Sequence, residues 1–465
     1  MGYDLQHSGY DPDERTINTG NVGSLQQIWT ATTPTGGIGE PVIASNVNVQ
    51  GQATNVIYYG TSDGMFYAYD ADTGAQIWSK QLGATLHTCG NSTFTFGNNS
   101  APALDRSTNR VYVADGALQV HALDLSTGVE AAGWPVLINT NAPNHNFIYG
   151  GLTYNPANHF LYAETSATCD NSPWYGRIVA IDTALGSGIV DTFLPTQGKS
   201  GGGIWGFGGA AIDPSNNDVF IATGNADISE NTSQNAFFAE QIVKLSSDLN
   251  PIDNNLPSIP GSGNDYDFGA TPLLFQPSGC QPLLAAVNKS GIIVVYDRNN
   301  ISAGALSNFS ISISTDAGDL IGVPTFDPQT QLLYVGLPST FGSYLPGMAA
   351  FSVNSSCGLN PAPVWTAQFG ADGATHSTDT PRSPITAANG VVYISDMKTS
   401  QTYAFDAQSG RRLWTAPLSG FGIVGPVLFN GKLYVGSMGS TSMTAWAPSQ
   451  GARRRPIGRR PIRHR

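Results

Sequence analysis

Charge is scarce in this chain: Asp, Glu, Lys and Arg together make up 12% of its 465 residues, and lysine is especially rare. No apolar run approaches the roughly 18 residues that a membrane-crossing helix needs, which excludes a helical span. No stretch keeps a helical apolar period either, so long amphipathic helices are not expected. The four cysteines, Cys89, Cys169, Cys280 and Cys357, form no CxxC, which argues against zinc clusters and thioredoxin chemistry. The absence of CxxCH excludes covalent c-type haem. His87, His121 and His376 are scattered without ligand spacing, and no Ser-His-Asp set can be picked out.

The formal net charge is −12, yet the last residues, GARRRPIGRRPIRHR, carry seven arginines and no acid. The rest of the chain is therefore more acidic than the total suggests, and an acidic body does not suit a nucleic-acid binder. Residues 450–465 read as a basic tail outside the fold, and 1–449 as one domain. Widely spaced cysteines in a Lys-poor, Gly/Asn/Ser/Thr-rich chain suggest an oxidising compartment. Spacing does not fix their connectivity. Joining adjacent repeat units gives Cys89–Cys169 and Cys280–Cys357. The start, MGYDLQHSGYD, lacks a basic and then apolar leader pattern. The reading favoured is a periplasmic or extracellular protein whose leader is missing from this chain.

What the chain has in abundance is repetition, with 54 glycines marking its turns. A Tyr-rich apolar segment ends in Ala-x-Asp, often followed by Thr-Gly and a Trp. VIYYGTSDGMFYAYDADTGAQIW ends at Trp78, RVYVADGALQVHALDLSTGVEAAGW at Trp134 and VVYISDMKTSQTYAFDAQSGRRLW at Trp414. Weaker copies end near Asp182, Leu245, Asp297, Phe351 and Trp446. Eight openings interleave with these closings, around Pro41, Pro102, Leu152, Ala210, Pro272, Pro324, Pro384 and Pro426. The spacing, roughly 40–60 residues, suits four-stranded propeller blades. The expected fold is therefore all-β: an eight-bladed β-propeller with tryptophan-docking repeats. Trp78, Trp134 and Trp414 are expected to wedge between neighbouring blades. Asp70 with Thr73, and Asp124 with Thr127, can satisfy turn backbone groups. SLQQIW, ending at Trp29, is expected to supply the missing outer strand of the last blade.

The AxDxxTGxxxW units resemble the quinoprotein alcohol dehydrogenase-like propellers, which bind pyrroloquinoline quinone (PQQ). The likeness runs from HSGYDPDERTINTGNVGSLQQIW to TAWAP and is strongest to the polyvinyl-alcohol dehydrogenase-like branch. A non-catalytic lipoprotein of the outer-membrane β-barrel assembly machinery shares the repeat, so an envelope scaffold that binds protein is the competing reading.

Four motifs carry what the resemblance implies for a site. GGGIWGFGGAAIDPSNNDVFIATGN is similar to the family segment that places a Trp beneath the quinone and an Asn on the metal. This makes Trp205 the stacking floor and Asn225 a ligand; a planar quinone needs an aromatic face, and Ca²⁺ accepts amide oxygens beside carboxylates. NDYDFGATPLLF resembles the segment carrying the general base. One register makes Asp265 the base and Asp267 a second acid near the metal; another puts Tyr266 at the base position. AVNKSGIIVVYDRNN is similar to the Asn-Lys-x-Gly strand whose Lys reaches the quinone oxygens, here Asn288 and Lys289. ETSATCDNSPWYGRIVAID lies where the family places a metal-binding Glu. It offers Glu164, Asp170 and Arg177, with Asp170 chosen as ligand and Arg177 as a cofactor contact. The family's adjacent Cys-Cys pair is absent. The resemblance implies PQQ and Ca²⁺, or another divalent or lanthanide ion. It also implies a small or polymeric alcohol as substrate and an external acceptor such as a cytochrome c.

Overall fold

The computed structural model describes residues 2–141, 145–167, 169–184, 188–206, 208–258, 266–311, 322–337, 342, 344–369, 383–420 and 422–449. Among them eight antiparallel sheets form an eight-bladed β-propeller. The innermost strands of the blades are Val42–Val49, Ala103–Asp105, Thr153–Asn155, Ala211–Ile212, Leu273–Phe275, Thr325–Asp327, Thr386–Ala388 and Val427–Phe429. Each begins within two residues of an opening read from the sequence. Proline suits the place, since its missing N–H spoils a ladder inside a strand but not at the entry. Innermost strands of neighbouring blades touch, as Thr153–Asn155 does Ala103–Asp105 and Thr325–Asp327 does Thr386–Ala388, so these strands line the axis.

The ring closes with two distant parts of the chain. Strand Leu25–Thr32 pairs with Ser442–Pro448, Gln27 lying opposite Trp446, and completes the eighth blade. The basic tail read over 450–465 lies outside the described residues.

Tryptophan docking follows one geometry. The Trp78 indole donates to the Leu125 carbonyl of the next blade at 3.0 Å, and Tyr58 donates to the same oxygen at 2.8 Å. Trp29 reaches Ala71 and Trp365 reaches Ala407, each at 3.1 Å. The acceptor always follows the Asp of the repeat, and that Asp holds its own turn. Asp70 Oδ1 accepts the Asp72 and Thr73 amides at 2.7 and 3.1 Å, and Asp124 Oδ1 accepts Ser126 and Thr127, both at 3.0 Å. The repeat glycine makes room for the ring. Gly128 has φ +69°, and a Cβ there would stand 2.8 Å from Trp78. Trp414, in the seventh blade, instead finds Leu25 O at 3.3 Å, where the two chain ends meet. Trp134 packs on Tyr112, ring centroids 5.4 Å apart, against the core cluster shared by the second and third blades.

Two features escaped the repeat reading. Residues 5–9 run across one end of the axis. The Leu5, Gln6, Ser8 and Gly9 carbonyls accept Ile212, Leu274, Phe326 and Ala387 amides from four successive blades. Glu14 continues this belt, accepting the Gly431 amide at 3.0 Å. A second feature is a hairpin between the first two blades, Thr85–Cys89 paired with Ser92–Phe96. Both expected disulfides are present, Cys89–Cys169 and Cys280–Cys357.

Candidate functional site

In each blade the second strand runs toward one end of the propeller, and the loops after it gather there. Asn225 follows Val219–Ala222, Lys289 follows Leu283–Val287, and the 169–176 loop follows Phe160–Ala167. Asp267 precedes Leu273–Phe275 and so meets the same end. At the other end, the strap at residues 5–14 brings Glu14 to the Gly431 turn between the first and second strands of the eighth blade.

The side chains connect in series. Lys289 Nζ pairs with Asp267 Oδ2 at 2.7 Å. Asp267, fully buried, also accepts the Asn225 amide N–H at 2.6 Å through Oδ1. Gly224 permits that approach, since a Cβ there would collide with Asp267 Oδ1. The Asn225 side-chain amide donates to Asp170 Oδ2 at 3.0 Å. On the other flank, the Lys289 ammonium lies 5.9 Å from the Trp205 ring centroid. Trp205, Asn225, Asp170, Asp267 and Lys289 thus come from three successive blades into one cluster. Burial, reinforced by repulsion from Asp267, holds the Asp170 carboxyl well above the ordinary carboxylate range. The Asn225 hydrogen bond and the Lys289 charge pull it part of the way back.

Asp265 lies outside the described residues, and Tyr266, just inside them, donates its amide to Glu240 at 3.0 Å. Asn288 turns its Oδ1 to the local hairpin, accepting Ser290 Oγ at 2.8 Å and Ile292 N at 3.0 Å, while its buried Nδ2 has no partner. Arg177 opens strand Arg177–Asp182, and its buried Nε is likewise unpartnered. Glu164 is isolated from the cluster's charges: burial alone pushes its carboxyl up to about 8.

The sequence reading missed the wall beside Trp205. Phe147 and Tyr149 meet its ring edge-on at 5.8 and 5.9 Å, and Phe96 packs on Phe147 at 4.6 Å. His87 continues the wall at 5.5 Å from Phe147. The signal for this was LHTCGNSTFTF, two alternating runs about a Gly-Asn turn, which falls between repeat units.

The residues suit a planar anion. An aromatic face with a buried ammonium beside it matches a ring bearing carboxylates. They do not form a metal cage. No group of three or more His, Cys, Asp or Glu among the described residues could hold a metal ion. Asp267 has both oxygens engaged, and Asn225 gives Asp170 a donor rather than turning its oxygen to a shared ligand.

Comparisons with known proteins agree with the architecture. The family model for the glucose/ethanol/alcohol dehydrogenase β-propeller domain matches residues 1–137, and that for the outer membrane protein assembly factor BamB matches 347–456. No curated protein matches. Among solved structures, the quinohemoprotein alcohol dehydrogenase ADHIIG of Pseudomonas putida HK5 superposes with a TM-score of 0.72 at 15% identity, covering 99% of this chain and 81% of that one. The quinohemoprotein alcohol dehydrogenase of Comamonas testosteroni gives 0.71 at 15% identity, covering 97% and 80%. A europium-containing methanol dehydrogenase gives 0.70 at 16% identity, covering 94% and 89%. No helix among the described residues is long and apolar enough to cross a membrane.

Proposed function

For this chain, a PQQ-repeat propeller with the eight-bladed quinoprotein dehydrogenase fold, we propose a PQQ-dependent oxidation of alcohol groups outside the cytoplasm. One observation carries the reading: Trp205, Asn225, Asp170, Asp267 and Lys289, far apart in sequence, form one connected cluster at one mouth of the ring. A pure scaffold has no need to bury an ion pair beside an aromatic face at a mouth, because buried pairs rarely add stability over apolar packing.

In this reading Trp205 stacks under the cofactor ring. Lys289 holds its anionic oxygens, with Arg177 and Asn288 supplying further donors. When bound, the quinone would accept a hydride from the alcohol carbon. Asp265 or Asp267 takes the hydroxyl proton on a carboxylate oxygen, and the aromatic wall of Phe96, Phe147 and Tyr149 keeps water from that edge. The described donors do not fit a metal as they stand; Asn225, Asp170 and Asp267 are the residues that Ca²⁺ or a lanthanide would need to recruit. Electrons would pass to an external acceptor such as a cytochrome c. The substrate would be a small or polymeric alcohol, and the setting periplasmic or extracellular, in keeping with two disulfides.

The test separates binding from turnover. Asp267→Asn should retain PQQ uptake while dye-linked alcohol oxidation falls at least about a hundredfold, the low end for a lost general base. Equal turnover in the variant would remove Asp267 from the chemistry and leave the role to Asp265. The assembly-factor match over 347–456 favours a second reading, a non-catalytic envelope scaffold. Protein that takes up no quinone would leave that one standing.

A further inference from the structure

The contacts around the candidate site form a closed circuit. From Trp205 the path runs through Lys289, Asp267 and Asn225 to Asp170. Asp170 is preceded by Cys169, which is bonded to Cys89 at the end of the hairpin strand Thr85–Cys89. From that hairpin His87 and Phe96 pack on Phe147, and Phe147 returns to Trp205. The disulfide is the only covalent cross-link in this circuit.

The backbone beside the bond is unusual. Cys169 and Asp170 both hold φ near +50°, the left-handed region, which is uncommon for Cys and better tolerated by Asp. Asn171 adds a side-chain hydrogen bond to the Thr88 carbonyl, tying the same loop to the same hairpin. The second disulfide differs in place. Cys280 follows the first strand of the fifth blade and Cys357 the third strand of the sixth, so Cys280–Cys357 joins turns at the strap end.

We propose that Cys89–Cys169 is a positioning disulfide for the site: it fixes Asp170 against Asn225 and seats the hairpin's His87 and Phe96 against Phe147, the ring that packs on Trp205. The site's polar and aromatic flanks are then set by one bond. The ligand arm of the test below rests on the quinone reading; the arm on the free protein does not.

The two disulfides control for each other. They close loops of 80 and 77 residues, so removing either relaxes the unfolded chain by nearly the same entropy. Cys89→Ser/Cys169→Ser and Cys280→Ser/Cys357→Ser should lose similar unfolding stability. Only the first should speed hydrogen exchange at the Asn225 amide and in the 85–96 and 145–149 peptides. It should also weaken PQQ binding, read by quenching of Trp fluorescence, by about ten- to a hundredfold, as loss of an orienting partner does. Equal exchange at these peptides in both double variants overturns the proposal. So does unchanged PQQ affinity in the first when the wild type binds. A wild type that takes up no PQQ defeats the functional reading instead, and the exchange arm still decides this one. If the first variant does not fold, reducing folded wild type with tris(2-carboxyethyl)phosphine, with the opened bond identified by thiol mapping, gives the same exchange comparison.

Discussion

Glu164→Gln should make the protein more stable at neutral pH, by an amount that grows with pH. Glu164 lies in strand Phe160–Ala167, is 1% exposed, and its Oε2 has no hydrogen-bond partner. Two glycines crowd it: a Cβ on Gly150 would stand 2.6 Å from Gly206 O and 3.0 Å from Glu164 Oε2. Burial, with no cation to offset it, moves the carboxyl from its usual 4.5 to about 8. A raised carboxyl pKa means that the folded state holds a proton the unfolded chain has released. Stability therefore falls as pH rises from 4.5, and the fall is complete above about 8. Each pH unit in that window costs about 1.4 kcal/mol, so the penalty near pH 7 is on the order of 3 kcal/mol. The amide of Gln cannot ionise and removes the slope. Urea unfolding of both proteins from about pH 5 to about pH 8 reads the difference. The gap should widen steadily with pH. Parallel stability curves would refute the reasoning and mean that Glu164 ionises in the fold as it does in the unfolded chain, charge-paired or solvated.

Three further outcomes follow from the geometry. His121 sits between Glu130 at 2.9 Å and Asp115 at 3.3 Å; burial opposes its charge, but the two carboxylates outweigh it and raise its pKa. That stabilisation is complete below the free value of 6.5 and is lost as pH rises through the folded value, so His121→Gln should flatten the fall of Tm above neutrality. Gly128→Ala should cost about 1–3 kcal/mol, from a positive φ and a Cβ pushed onto Trp78, measured by denaturant unfolding; no loss would mean that the ring is not docked there. Lys289→Ala should destabilise by about 3–5 kcal/mol, because Asp267 is left buried without its cation. Lys289→Ala should also abolish quinone uptake, and a variant that binds as the wild type does would take Lys289 out of the site.

The architecture was legible because the repeat states its packing locally. Ala-x-Asp sets a turn, Thr-Gly leaves a flat place, and the preceding blade's Trp fills it, so each copy predicts its neighbour's position. Proline and small residues marked the innermost strands for the same reason. The pairing of Leu25–Thr32 with Ser442–Pro448 was legible because the last unit lacks an outer strand. The site was legible only in part. Trp205, Asn225, Asp267 and Lys289 occupy equivalent places in successive blades, and ring closure brings such places together. The His87–Phe96–Phe147 wall was not legible, because the hairpin that carries half of it lies outside the repeat and packs through tertiary contact alone. Nor was the strap, whose backbone carbonyls bond to four blades while its side chains follow no period. Asp170 was reached through resemblance, yet its hold on Asn225 depends on a disulfide and two left-handed residues that no motif records.

The central claim is that this mouth binds a quinone and oxidises alcohols. Purified protein titrated with PQQ, with and without Ca²⁺, tests it most directly, with Trp fluorescence and quinone absorbance read together and dye-linked alcohol oxidation following in the same sample. The account predicts saturable quenching at one quinone per chain, lost in Lys289→Ala, and alcohol-dependent dye reduction only in the loaded protein. Absence of saturable uptake in a folded, disulfide-intact sample, with or without the metal, would contradict it.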